Sequence, residues 1–150
     1  MLKVDIDDRE VLAAVQRLLD TGRDLKPAMQ DIGEYLVVST RQRFQDGVSP
    51  DDTPWARNSY TKDTTRAAGR PPLIGETKQL STKIFPRATA HGVEVGSPLE
   101  YAGTQQFGAK AKSFSGGKTP WGDIPARPFI GLSKDDEQQV LTILQEHLLR

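Results

Sequence analysis

Residues 124–136 read IPARPFIGLSKDD, and the fold turns on how this stretch is read. Pro125 and Pro128 fix their own φ and push the residues before them, Ile124 and Arg127, out of the helical region. Residues 124–131 are therefore expected to run extended. Prolines cannot donate to a ladder, so the segment is expected at an edge and not in the middle of a sheet. Ser133 then supplies a helix cap, and Asp135, Asp136 and Glu137 set negative charge at the positive end of a helix. Val140, Leu141, Leu144 and Leu148 give this terminal helix a buried face. An extended apolar segment that feeds an amphipathic helix calls for both kinds of secondary structure.

The N-terminal third repeats the pattern. Residues 2–6 alternate like a short strand, and Asp7 with Glu10 three residues later forms a start resembling a capping box. Val11, Leu12, Val15, Leu18 and Leu19 make one apolar stripe, closed at Gly22. Asp24 can cap a second helix with Pro27 in its first turn, where a missing N–H is tolerated. Leu25, Met29, Ile32 and Leu36 repeat at helical spacing, and this helix should run to about Asp46 or Gly47.

Nine of the ten prolines lie between Pro50 and Pro128, and the middle of the chain is correspondingly irregular. Residues 48–75 carry turn formers, scattered arginines and one tryptophan without either period, and read as a long loop. Leu80, Thr82 and Ile84 alternate with Ser81 and Lys83, and Val93 and Val95 flank Glu94. Two antiparallel strands joined near residues 90–92 are expected. Ser97, Pro98 and Glu100 signal a short helix ending at Gly108. A second irregular loop, GAKAKSFSGGKTPWGD, follows it. The expected fold is a single α+β domain over residues 1–150. In it, a small antiparallel sheet is packed by N-terminal and C-terminal helices, with two long irregular loops.

Composition narrows the function. Hydrophobic residues make up 36% of the chain and charged residues 27%, ordinary values for a globular protein. Twenty basic residues balance twenty acidic ones, so no overall field draws the chain to nucleic acid or to an anionic membrane. Cysteine is absent, which removes disulfides, thiolate catalysis and cysteine-ligated metals. No apolar run approaches a membrane span, and the first residues lack the apolar core of a signal peptide. A cytosolic product is expected.

No catalytic constellation stands out. His91 falls at an expected turn tip and His147 near a helix end, where a cation is favourable. The acidic groups at residues 7–8 and 135–137 are explained by helix capping, and SFSGGKTPWG lacks the spacing of a phosphate loop. No catalytic residue, cofactor or metal is expected. Arg57, Lys62, Arg66 and Arg70 face a single acidic residue, Asp63, between Pro54 and Pro72. Lys110, Lys112 and Lys118 lie near Phe107, Phe114 and Trp121. These basic aromatic loops suit nucleic-acid contact, which is the alternative function. They equally suit contact between protein subunits, where aromatics and arginine are enriched. Trp55, Arg57, Arg66, Arg70, Phe107, Phe114, Trp121 and Arg127 are the candidate subunit-interface residues. The competing reading folds Trp55 and Trp121 back as lids on the core and packs Arg127 on its own subunit.

Four fragments, RQRFQDGVSPDDTPW, GRPPLIGETKQLSTKI, VEVGSPLEYAGTQQFG and IPARPFIGLSKDD, occur in an order and spacing that resemble the phage virion morphogenesis family. These are the tail-completion proteins of Mu-like and related long-tailed phages. The resemblance covers most of the chain from about Thr40 onward. It implies an α+β fold and a non-enzymatic role in virion assembly, completing the tail or joining head to tail as a ring of subunits. The implied partners are other virion proteins (tail tube, connector or neck subunits) and further copies of the chain in a homo-oligomer. DNA contact would be incidental and no membrane would be involved. The implied location is the host cytoplasm during assembly and then the virion.

Overall fold

A computed structural model describes residues 9–56, 72–73, 79–90, 92–99, 101–109 and 125–149. The strand expected over residues 2–6, the cap at Asp7 and most of both long loops lie outside the described residues. Within them, the α+β class holds: five helices accompany one two-stranded antiparallel sheet.

The first helix, α1, spans Arg9–Asp20, and Gly22 with φ +71° turns the chain out of it. Its buried face differs from the expected stripe. Ala14 and Leu18 are buried and Val11 and Val15 pack beside them, whereas Leu12 and Leu19 are 52% and 45% exposed. Positions 11, 14, 15 and 18 follow the i, i+3, i+4, i+7 series of one helix face, and 12 and 19 lie one step around it.

Helix α2, Lys26–Asp46, is the longest described element, and β1, β2, α3 and α5 pack on it. Pro27 stands in its first turn, and the Asp24 carboxylate accepts from the Lys26 N–H at 3.1 Å. Gly47, at φ +69°, closes the helix with its N–H on the Arg43 carbonyl at 2.7 Å. The proline in the first turn and the end at Gly47 follow the expected reading, whereas the cap position falls to Leu25, which has no capping side chain, with Asp24 one residue before it.

The middle departs from it. Residues 79–82 form a single helical turn, α3 (Gln79–Thr82), and not a strand. Leu80 and Ile84 are both buried, and their spacing of four places them on one side of a helical turn. The Lys83 N–H meets the Gln79 carbonyl at 2.8 Å. The first strand, β1 (Phe85–Ala88), begins only after that turn and pairs antiparallel with β2 (Val93–Gly96), Phe85 opposite Gly96.

Helix α4 also starts later than Ser97 suggested, at Ala102–Phe107. The Ser97 hydroxyl accepts from the Leu99 N–H at 3.2 Å and the Ala102 N–H reaches the Leu99 carbonyl at 3.1 Å, so the cap signal is used by tight turns before the helix. The helix ends at Gly108 as expected, with φ +74°. Helix α5, Lys134–Leu148, has the full capping box of Ser133 and Asp136.

Two buried clusters result. One joins α1, α2 and α5 through Ala14, Leu18, Met29, Ile32, Val140 and Leu144. The other gathers Phe44, Trp55, Leu80, Ile84, Phe129 and Ile130 around the C-terminal half of α2. Phe44 is its centre, meeting Trp55 edge-on at 5.5 Å and Phe129 at 5.4 Å between ring centroids.

The hairpin approaches α2 at Gly33, where a Cβ would stand 2.9 Å from the Pro86 Cβ and 3.0 Å from Val93 Cγ2. Alanine gains about 1 kcal/mol of helix propensity over glycine, but overpacking of this kind costs about 1–3 kcal/mol. Gly33→Ala is expected to lower the urea midpoint, and a raised midpoint would show that the hairpin yields freely.

Candidate assembly site

Residues 125–129 take no part in a sheet. The segment expected at a sheet edge is instead a strap, and side chains from other elements meet its backbone groups. A backbone run buried without ladder partners must find such groups, because each unmet donor or acceptor carries a desolvation penalty.

Gln106, on α4 and 5% exposed, provides most of them. Its Oε1 accepts from the N–H groups of Phe129 and Ile130 at 2.9 and 3.0 Å, and its Nε2 donates to the Ile130 carbonyl at 2.9 Å. One side chain thus does the work of a neighbouring strand. Trp55 Nε1 donates to the Pro128 carbonyl at 2.8 Å, and the Arg127 N–H donates to the Gln105 carbonyl at 2.7 Å.

Arg43 completes the set from α2. Its Nη1 donates to the Phe129 carbonyl at 2.9 Å while its Nη2 is paired with the carboxylate of Asp136 on α5. Both partners are almost fully buried, with side chains 6% and 1% exposed. Asp136 also accepts from Tyr35 Oη at 2.9 Å, from Ser39 Oγ and from the Ser133 N–H at 3.0 Å. The carboxylate is therefore a junction that caps α5, neutralises Arg43 and ties both to α2. Buried charge is tolerated on these terms, paired and fully hydrogen-bonded.

The electrostatics follow from this packing. Burial lowers the pKa of the Arg43 guanidinium, and the Asp136 carboxylate opposes that shift. Tyr35 is pushed up to about 12, first by burial and then by its hydrogen bond to Asp136. A folded pKa above the unfolded value of 10.0 favours the protonated phenol. Its contribution to stability is complete below about pH 10 and is lost as pH rises through about 12. Ultraviolet titration should show one phenol ionising well after ordinary tyrosines, and Tyr35→Phe should remove it. A cavity of about 310 Å³ lies against this network, with Asp46, Asp52 and Asp135 among its lining residues.

Three of the eight candidate interface residues fall in the described part. Trp55 is 6% exposed and Arg127 is 7% exposed, both within the chain's own fold. Arg127 Nε donates to the Ala56 carbonyl at 2.8 Å, and burial lowers its pKa. Phe107, by contrast, is 65% exposed at the end of α4. Arg57, Arg66, Arg70, Phe114 and Trp121 lie outside the described residues. The roots of both long segments nonetheless meet. Trp55 and Ala56, before residue 57, hydrogen-bond Pro128 and Arg127, just after residue 124, and Leu73 packs on the same cluster as Trp55.

Sequence reasoning missed Arg43, Gln106, Tyr35 and Ser39. A signal existed for one: the stripe Met29, Ile32, Leu36 continues to Thr40 and Arg43, and a charged residue on a buried face implies a buried partner. Of the two histidines, His147 contacts the Asp31 carboxylate at 2.7 Å, and His91 lies outside the described residues. Among the described residues no group of three or more histidine, aspartate or glutamate side chains is placed to hold a metal, and no helix is long and apolar enough to cross a membrane.

The chain is 28% identical over 148 residues to the Mu-like prophage FluMu G protein 2 of Haemophilus influenzae, covering 98% of this chain and 96% of that protein. It is 28% identical over 141 residues to the Tail completion protein S of Escherichia phage P2, covering 91% of each. No solved structure matches it. The family whose sequence model fits residues 6–149 closes the argument: this chain belongs to the phage virion morphogenesis family.

Proposed function

We propose that the protein is a non-enzymatic subunit of virion assembly that completes the tail or joins it to the head, acting as a ring of identical copies. One observation carries this reading. The similarity to the tail completion protein of phage P2 runs along 91% of both chains, so the resemblance extends over nearly the whole chain and is not confined to one segment. The architecture supports it: the strap fixes the roots of residues 57–71 and 110–124 side by side, next to exposed Phe107.

In this reading Phe107, Arg57, Arg66, Arg70, Phe114 and Trp121 contact neighbouring subunits or other virion proteins. Trp55 and Arg127 act from beneath, holding the segments that present them. Association follows from aromatic and arginine anchors at the surface over a rigid base. Assembly takes place in the host cytoplasm, and the product stays in the virion.

The test is a phage lacking the gene, examined by negative-stain electron microscopy. Free heads with unjoined or incomplete tails are expected, restored by the wild-type chain supplied in trans. Normal numbers of complete, infective particles without the chain would refute the proposal.

A further inference from the structure

Helix α1 keeps two leucines outside the core. Leu12 and Leu19 are 52% and 45% exposed, while Ala14 and Leu18 on the same helix are buried. Seven residues, about two turns, separate the two leucines, so both stand on one line along the outer surface of the helix. A single exposed leucine needs no account, but two in line form a seam of the kind that paired helices share.

The charges beside the seam say what covers it. Arg9 and Asp20 are exposed and stand at the two ends of α1. Eleven residues, close to three full turns, part them, which sets both on the same flank of the seam with exposed Gln16 between them. Consider a second α1 laid antiparallel about a two-fold axis, Leu12 against the partner's Leu19. Arg9 of each copy then meets Asp20 of the other, about 3 Å apart along the helix direction and within an arginine's reach. A parallel pairing would instead set arginine on arginine and aspartate on aspartate. The face is self-complementary in one orientation only.

We propose that the outer face of α1 is a two-fold docking surface for a second copy of this chain, with Leu12 and Leu19 as the apolar seam and Arg9 paired to the partner's Asp20. A contact of this symmetry closes at two copies and does not itself build a ring, so it joins free chains and is independent of the assembly role. It lies on the cluster of α1, α2 and α5, whereas Phe129 and Ile130 of the strap belong to the other cluster. One pair of short helices covers little area, so the dimer is weak and its population follows concentration.

Sedimentation of the full-length protein tests it. A monomer–dimer equilibrium is expected at about 0.1–1 mM, and Leu12→Lys should weaken it about tenfold or more without lowering Tm, because that leucine is outside the core. Arg9→Asp and Asp20→Arg should each weaken the dimer, and the double exchange should restore it. Within one chain the two groups stand roughly 16 Å apart along the helix, so restoration reports a meeting between copies. The chain has no cysteine, and Gln16→Cys, beside the axis, should give a disulfide-linked dimer on oxidation. Arg17→Cys, turned away from the seam, should not. A monomer throughout that range or an association untouched by Leu12→Lys would overturn the proposal. So would a double exchange that fails to restore the dimer, or equal cross-linking of the two cysteine variants.

Discussion

Asp136→Ala is expected to lower the stability of the isolated protein by about 4–6 kcal/mol, enough to unfold most of it at 37 °C. Two losses combine. Removing the carboxylate leaves the Arg43 guanidinium buried without its counter-charge, and breaking a buried pair from one side costs about 3–5 kcal/mol. The capping box of α5 disappears with it, worth about 1 kcal/mol. Ser133→Ala separates the two, since it removes the cap hydroxyl and keeps the ion pair. Chemical denaturation of both variants checks the account: a loss under about 2 kcal/mol for Asp136→Ala would mean that water or a shifted side chain satisfies Arg43.

The second large effect is expected at Gln106. Leucine has nearly the same volume, so Gln106→Leu leaves no cavity and isolates the polar contribution. Two N–H groups and one carbonyl of the strap lose their partner in a buried setting. At about 1–3 kcal/mol for each unmet group, the expected loss is about 3–5 kcal/mol after some relaxation of the strap. Gln106→Glu keeps the acceptor for Phe129 and Ile130, but it loses the donor to the Ile130 carbonyl and buries a charge beside that oxygen, so it should not rescue. Amide exchange at Phe129 and Ile130 gives the residue-level readout, and continued slow exchange in Gln106→Leu would show that the strap is held by its apolar side chains alone.

The strap also shows how far the sequence could be read. Its extended backbone follows from Pro125 and Pro128, which constrain φ locally, and the α5 cap follows from Ser133 with Asp136 three residues later. Both are short-range signals. The bounds of α2 were legible for the same reason, through Pro27 at one end and Gly47 at the other. The partners of the strap were not, because Arg43 lies 86 residues from Phe129 and no local pattern records so distant a contact. The misread strand at Leu80 shows a second limit: Leu80, Thr82 and Ile84 fit alternation, but only Leu80 and Ile84 are buried, and that spacing also fits one helical turn. On α1 the stripe had the right helix but the wrong edge, since five apolar residues cover more than one face and packing selected Val11, Ala14, Val15 and Leu18. Ala14 was overlooked because alanine carries little periodic signal.

At the candidate site, aromatic and arginine content singled out segments without saying which of their side chains fold inward. Trp55 and Arg127 are each drawn in by one backbone carbonyl, Pro128 and Ala56 respectively. Phe107 stays out because α4 is six residues long and its buried face is already filled by Ala102 and Gln106. The chain's balanced charge agrees with a part that meets other proteins and is not driven onto nucleic acid by its overall field.

The proposed role requires this fold to be a structural subunit repeated around the axis of the tail. Cryo-electron microscopy of the complete virion measures it directly. A ring of these chains at an end of the tail or at its junction with the head is predicted, with Phe107 and residues 57–71 and 110–124 at the contacts between subunits or with neighbouring virion proteins. A complete particle whose map contains no copy of the chain, or holds it as a lone subunit away from the tail axis, would contradict the account.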